Sequence, residues 1–184
     1  EFQRVNERYT YLTDQRDDVL TSKKELEGII ADITAEMKNI FSTQFAILND
    51  AFQQTFVELF GGGRAALELE DPDDILGCGI EIRVQPPGKA LKVLSLLSGG
   101  EKAFVAIALY FAILKVRPTP FCVMDEIEAA LDDANVVRFA HYMRQMADKT
   151  QFIVITHRRG TMEEADVLYG VTMQEQGISR LLTI

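Results

Sequence analysis

The sequence predicts an α/β domain entered from its N-terminal side by one long helix. Three observations carry that reading: a heptad repeat through residues 1–60, a break at Gly61-Gly62-Gly63 followed by short strand-like and helical runs, and two continuous apolar stretches separated by a helical one.

Val5, Leu12, Val19, Leu26, Ile33 and Ile40 recur every seven positions. Their companions Phe2, Tyr9, Arg16, Lys23, Ile30 and Met37 are apolar at both ends and basic in the middle. A seam of two such rows is what a coiled coil presents to a partner helix, and the repeat is long for the alternative, an ordinary amphipathic core helix. After Ile40 the phase moves to Phe41, Phe45, Leu48, Phe52, Phe56 and Leu59. The stripe widens there, as expected where a helix leaves a coil and docks on a globular body. No second heptad helix follows, so its partner is expected from elsewhere.

The triple glycine breaks the helix. It lacks the following Lys-Ser/Thr of a phosphate-binding loop and is expected to be a turn. Strands are expected at Ala66 to Leu69, Ile80 to Val84 and Leu91 to Leu94, with Pro86-Pro87-Gly88 as a turn. A helix from about Glu101 to Lys115 leads to a strand at Phe121 to Met124. A helix from about Asp133 to Ala147 leads to a strand at Phe152 to Ile155. These two strands are continuous apolar runs, as buried parallel strands are, and a helix between them implies a right-handed crossover. A terminal pair, Val167 to Met173 and Ile178 to Leu182, turns at Gln176-Gly177.

Composition narrows the function. The chain of 184 residues is 47% hydrophobic and 26% charged, which is globular, and it has no apolar run long enough to span a membrane and no secretory signal pattern. A net charge of −9 argues against passive adhesion to nucleic acid by this chain alone, though not against a local basic patch. Cys78 and Cys122 are expected to be reduced structural residues, and no His/Cys cluster has zinc spacing.

Chemistry concentrates at the strand ends. The first apolar strand delivers Asp125-Glu126 to its C-terminal edge, where open α/β sheets bind ligands. Strand-end acids are commonly helix caps. Alternatively, since neighbours on a strand point opposite ways, one can hold a metal and the other orient or deprotonate a water. Ser98-Gly99-Gly100-Glu101-Lys102 opens a helix. It is either a simple cap or a phosphate cradle in which bare backbone N–H groups lie at the positive helix end. Leu131-Asp132-Asp133 opens the next helix, and Asp132 reads equally as an N-cap. The second apolar strand ends in Thr156-His157; this histidine is either an ordinary surface residue or a donor to a terminal phosphate. His141 lies on a polar helix face and carries no such reading.

Each element is ambiguous alone, but their order is not. A Ser-Gly-Gly helix start, an apolar strand to Asp-Glu, Leu-Asp-Asp, and an apolar strand to His resemble the signature motif, Walker B, D-loop and switch histidine of ATP-binding-cassette ATPases. Transporter subunits of that superfamily usually place proline after the Walker B glutamate, whereas Ile127 stands here. The stretches Asp125-Glu126-Ile127-Glu128-Ala129-Ala130-Leu131-Asp132-Asp133-Ala134-Asn135 and Thr156-His157-Arg158-Arg159-Gly160-Thr161-Met162 look like SMC (structural maintenance of chromosomes) proteins, most like the bacterial or archaeal condensin type. Glu128 departs from the Asp common at its position but keeps the acid.

The resemblance implies the C-terminal lobe of an ABC-type P-loop ATPase head, with residues 1–60 as a coiled-coil neck and residues 61–184 carrying the motifs. It implies ATP and Mg²⁺ as cofactors and hydrolysis between two engaged heads. Ser98, Gly99, Gly100, Glu101 and Lys102 would bind nucleotide in trans, and Asp125 would support the metal. Glu126 and His157 would be catalytic, and Leu131 and Asp132 would line the dimer interface. Implied partners are the N-terminal half of the same head, a second SMC head, a kleisin subunit and DNA, with no membrane, in the cytoplasm at the nucleoid. A coiled-coil DNA double-strand-break repair ATPase is the alternative with the same head chemistry. For a kleisin, the expected docking surfaces are Ile178, Leu181, Leu182 and Ile184 at the terminal strands and the wide face from Ile40 to Leu59. Packing on the missing half is the competing explanation of both.

Overall fold

The structure, a computed structural model, describes the backbone of residues 1–183 and all of their side chains except those of residues 174, 175 and 183. Ile184, expected in a docking surface, lies outside the described residues.

Helix α1 runs from Phe2 to Phe60 without interruption. Its heptad rows stay open to solvent, with Val5, Val19 and Leu26 each more than half exposed. Partial burial starts where the phase changes, at Phe41, Phe45 and Leu48, and full burial follows: Ala51, Phe52, Thr55, Phe56 and Leu59 are the buried residues of the helix. Gly61 ends it at φ 71°, ψ 31°, a left-handed cap whose N–H donates to the Val57 carbonyl. At Gly63 a Cβ would stand 2.3 Å from the Gln85 carbonyl oxygen, so only glycine fits this corner. The triple glycine is a turn, as expected.

Three small sheets follow. β1 (Arg64–Leu69), β2 (Ile80–Gln85) and β3 (Lys92–Val93) form an antiparallel sheet in chain order, with Ala66 opposite Arg83 and Arg83 opposite Val93. The strand expected at Leu91 to Leu94 is only two residues long and passes into a 3₁₀ turn at Leu94–Leu96, where the chain bends toward the next helix. Helix α2 spans Gly99–Val116, β4 spans Phe121–Asp125, α3 spans Asp133–Met146 and β5 spans Gln151–Ile155. β4 and β5 pair in parallel, with Met124 opposite Val154 and Asp125 opposite Ile155. A four-residue helix α4 (Arg159–Met162) was not foreseen. The terminal hairpin is β6 (Tyr169–Glu175) and β7 (Ile178–Thr183), with its irregularity between Met173 and Glu175.

One expectation fails for the parallel pair. β4 and β5 read as strands buried on both faces, yet Phe121 is 59%, Val123 57% and Ile155 53% exposed. Only the opposite face, through Cys122 and Met124, enters the core. The apolar run is continuous because both faces are apolar, and this chain covers one of them.

The core joins the end of α1 to α2 and α3. Phe56 stacks on Phe60 at 4.1 Å and Phe60 packs on Phe104 of α2 at 4.6 Å. Phe111, fully buried, meets Phe139, Tyr142 and Phe152 at 5.8, 5.2 and 6.4 Å. The Tyr142 hydroxyl donates to Glu58 Oε2 at 2.8 Å, and burial, with this acidic neighbour, pushes its pKa up to about 12. Arg138 Nη1 donates to the Phe60 carbonyl at 3.1 Å and satisfies one of the open carbonyls at the C-terminus of α1. Asn49 Oδ1 accepts from the Leu67 N–H at 2.8 Å and ties β1 to the same helix. Cys122 is buried and reduced, with its sulfur 2.6 Å from the Tyr110 hydroxyl.

Two substitutions separate the core from the seam. Phe111→Ala should lower unfolding stability by about 3–5 kcal/mol in urea titration, because it empties a fully packed site. Val19→Ala in the exposed heptad row should change it by no more than about 0.5 kcal/mol.

Candidate functional site

Helix α2 begins with a reciprocal cap. Ser98, in extended conformation, accepts from the Glu101 N–H, and Glu101 Oε2 accepts from the Ser98 N–H at 3.1 Å and its hydroxyl at 2.7 Å. This is a capping box built from Ser at the N-cap and Glu three residues on. Lys89, from the turn after β2, donates to Glu101 Oε1 at 2.7 Å. The lysine bond, then the two from Ser98, hold the Glu101 carboxyl down to a pKa of about 2. Gly99 has open space where a side chain would stand, whereas a Cβ on Gly100 would come within 3.0 Å of the Ala130 carbonyl oxygen. The first glycine leaves backbone accessible to a ligand; the second lets α2 approach the loop after β4. Lys102 donates its backbone N–H to the Ser98 carbonyl as the first helical bond.

At the ends of the parallel strands, Asp125 is the last residue of β4, and Glu126 follows at φ 48°. Glu126 is the only non-glycine residue at positive φ among those described, a conformation that costs energy and persists only when its surroundings dictate it. Its N–H donates to the Ile155 carbonyl at 3.0 Å, extending the β4–β5 ladder by one residue. His157 stands at the end of β5, its Nδ1 3.1 Å from Glu126 Oε1. With Nδ1 engaged by Glu126, Nε2 is the ring nitrogen left for a ligand. Both side chains are more than half exposed, so the pair adds little to stability.

The loop between β4 and α3 carries the remaining expected residues. Asp132 caps α3: Oδ1 accepts from the Asn135 N–H at 2.8 Å and Oδ2 from the Asn135 amide at 3.1 Å. Leu131, expected to line an interface, is 4% exposed and belongs to the core. Its backbone is held in a tight turn, with the Leu131 N–H on the Glu128 carbonyl at 2.9 Å, and its apolar side chain joins the core cluster. The surface this loop offers to another molecule therefore runs through Asp132 and its neighbours rather than through the leucine.

The structure thus brings Asp125, Glu126 and His157 together at one edge, and sets Gly100 against the loop that leads to Asp132. Sequence reasoning missed the residues that hold these groups. Arg158 Nη2 donates to the Leu131 carbonyl at 3.0 Å and to Asp133 Oδ1 at 2.9 Å, joining the His157 turn to the start of α3. Glu128, noted only for keeping an acid, is buried against Thr156 and Thr161. Lys89 gave no local signal, since it meets Glu101 only after the chain folds back. Among the described residues no group of three or more His, Cys, Asp or Glu side chains could hold a metal ion, and no helix is long and apolar enough to cross a membrane. Asp125 stands at the end of β4 as a single carboxylate, and Mg²⁺ is commonly held by one or two protein carboxylates together with water and phosphate oxygens.

The chain is a mixed α/β unit with an acid pair and a histidine at its parallel strand ends and a long helix whose C-terminal end packs into its core, the fold of SMC head domains of known structure. The family profile described as the RecF/RecN/SMC N terminal domain matches residues 4–180, and the chain belongs to this family. It is 58% identical over all 184 residues to the chromosome partition protein Smc of Bacillus subtilis, of whose length it spans 16%. A Pyrococcus furiosus Smc head domain with an extended coiled coil, bound to the C-terminal domain of ScpA, superposes with a TM-score of 0.78 at 40% identity; the match covers 100% of this chain and 46% of that one. A structure from work on ATP-driven dimerization and DNA-stimulated activation of SMC ATPases matches at 42% identity with a TM-score of 0.75, covering 80% of this chain and 89% of that one.

Because Glu101 is held below the usual carboxylate range, the stability it contributes is fully present above its unfolded pKa of 4.5 and is lost as pH falls toward about 2. The melting-temperature gap between the native sequence and Glu101→Gln should therefore be open at about pH 6 and close through that acid window, as scanning calorimetry can follow.

Proposed function

We propose that this chain is the C-terminal half of an SMC ATPase head. Joined to the N-terminal half, it hydrolyses ATP between two engaged heads to drive chromosome partitioning. The observation that carries the reading is the meeting of Glu126 and His157 at the ends of the parallel strand pair, next to Asp125 and served by a capped, glycine-bearing helix start. Residues 1–60 form the neck of a coiled coil, and residues 61–184 form the half-head.

The N-terminal half covers the open face of β4 and β5, where Phe121, Val123, Ile153 and Ile155 are exposed, and supplies the phosphate-binding loop that the 184 residues lack. The length of the relatives, of which this chain is about a sixth, leaves ample room for such a segment. Asp125 holds Mg²⁺, which neutralises phosphate charge when bound. Glu126 orients the attacking water and takes its proton, and His157 contacts the γ-phosphate. Ser98 and the backbone of Gly99 and Gly100 reach the γ-phosphate held by the second head, with Glu101 and Lys102 shaping that helix start and Asp132 at the interface.

The kleisin partner docks on the terminal hairpin, where Leu181 is 66% and Ile178 56% exposed; that such a partner binds the head at all is supported by the ScpA domain bound to the Pyrococcus head.

The chain alone should show no tight Mg-ATP binding by calorimetry, and adding the N-terminal half should restore it. Tight binding to the lone chain would overturn the split-head reading.

In the assembled head, Glu126→Gln should keep ATP binding, lower turnover by about 100-fold or more, and accumulate engaged dimers in light scattering. Ser98→Arg should keep ATP binding and abolish ATP-driven dimerisation, because a bulky cation fills the space of the partner's phosphate. Wild-type turnover in the first variant, or unchanged dimerisation in the second, would remove the assigned role.

A further inference from the structure

Glu128 is the only carboxylate among the described residues that lies in the core, at 1% exposure. Its Oε1 accepts hydrogen bonds from the hydroxyls of Thr156 and Thr161, the latter at 3.1 Å, while its Oε2 has no hydrogen-bond partner. A buried acid with one oxygen unpaired is costly to keep and calls for an explanation.

Both of its bonds go to the segment that carries His157. Within that segment the Arg158 N–H donates to Thr156 Oγ1 at 3.0 Å, and the Thr156 hydroxyl in turn donates to Glu128 Oε1. The turn from residue 156 to 158 is thereby closed around His157 and anchored in the core. Glu128 itself belongs to the turn that begins at Glu126, where the Ala129 N–H donates to the Glu126 carbonyl at 3.0 Å. One carboxylate therefore ties the loop bearing Glu126 to the loop bearing His157. The contact between those two side chains cannot hold the loops by itself, because both are more than half exposed and water screens their attraction.

We propose that Glu128 is a positioning residue: by holding Thr156 and Thr161 through Oε1, it fixes the separation and orientation of Glu126 and His157 without touching substrate. What matters is an acceptor oxygen at that place and not the negative charge. Glutamine keeps the oxygen and both threonine bonds, whereas leucine fills similar volume and removes them. Thr156→Val removes one of the two threonine bonds from the other side, together with the bond from the Arg158 N–H, with little change of shape.

The geometric claim is independent of hydrolysis, while its consequence for turnover rests on the ATPase reading above. The chain has two histidines, so isotope labelling of histidine gives one set of ring signals for His157 and an internal control in His141. In the 184-residue chain, Glu128→Leu and Thr156→Val should shift and broaden the His157 ring signals and leave those of His141 unchanged, and Glu128→Gln should leave both in place. If Glu128→Leu does not fold, Thr156→Val decides.

In the head assembled with its N-terminal half, Thr156→Val should lower turnover about tenfold with the KM for ATP nearly unchanged, and Glu128→Gln should turn over close to the native rate. An unmoved His157 signal in folded Thr156→Val, or a Glu128→Gln variant as impaired as Glu128→Leu, would overturn the proposal. A native assembled head without ATPase activity would instead overturn the function proposed above, while the ring signals would still decide the role of Glu128.

Discussion

The last two turns of α1 are the constraint on which the rest of the fold depends. Phe52, Phe56 and Leu59 are at most 1% exposed, and each contributes roughly 1.5–3 kcal/mol by leaving water. Their neighbours are the functional elements themselves. Phe60 packs on Phe104, a turn and a half from the Ser98 cap, and Arg138 and Tyr142 of α3 bond to Phe60 and Glu58. The long helix is thus an integral part of the core and cannot tilt without displacing α2 and α3. On the reading of this chain as half of an ATPase head, that joint is where a change at the nucleotide edge becomes a movement of the arm. Close-packed interiors transmit such displacement because they compress little.

The sequence displayed this joint plainly. The phase change after Ile40 marks where the stripe widens, and burial begins soon after it. Periodicity is legible because a helix that must face a core on one side repeats its apolar residues at a fixed angle. The parallel strands and their terminal acids and histidine were legible for the same kind of reason, since an apolar run ending in polar groups fixes both the strand and its ligand edge. Which faces the chain itself covers was not legible: Val123 and Met124 look alike in sequence but are 57% and 1% exposed. Leu131 was expected at a surface because a loop position between an alanine and an acid carries no sign of the direction in which its side chain turns.

The supporting residues of the site escaped for a different reason. Lys89 meets Glu101 across 12 positions and Thr156 meets Glu128 across 28, and no local propensity encodes either contact. The cap made by Ser98 and Glu101, by contrast, was partly visible, because both halves of a capping box lie within four residues. The same serine hydroxyl that closes this cap is the group assigned to the partner's phosphate. A phosphate oxygen arriving there would compete with Glu101 Oε2 for one proton, and Lys89 weakens the claim of Glu101 by holding its other oxygen. On the reading of this chain as half of an ATPase head, the salt bridge would link the turn after β2 to the serine that meets the partner's phosphate.

The backbone at Glu126 connects these themes. Positive φ in a residue with a long side chain is unfavourable by about 1–3 kcal/mol, and it arises here where an apolar strand must deliver an acid to the sheet edge and then turn at once into the loop toward α3. Three hydrogen bonds enforce the turn: Glu126 N–H to Ile155, Ala129 N–H to Glu126, and Leu131 N–H to Glu128. A glycine would adopt the conformation freely but would bring no carboxylate, and an acid in relaxed extended backbone would continue the alternation of the strand. The strain is thus the cost of placing a carboxylate beside His157. It is sustained by a loop anchored at both ends, to β5 through Ile155 and to the core through the buried acid at Glu128.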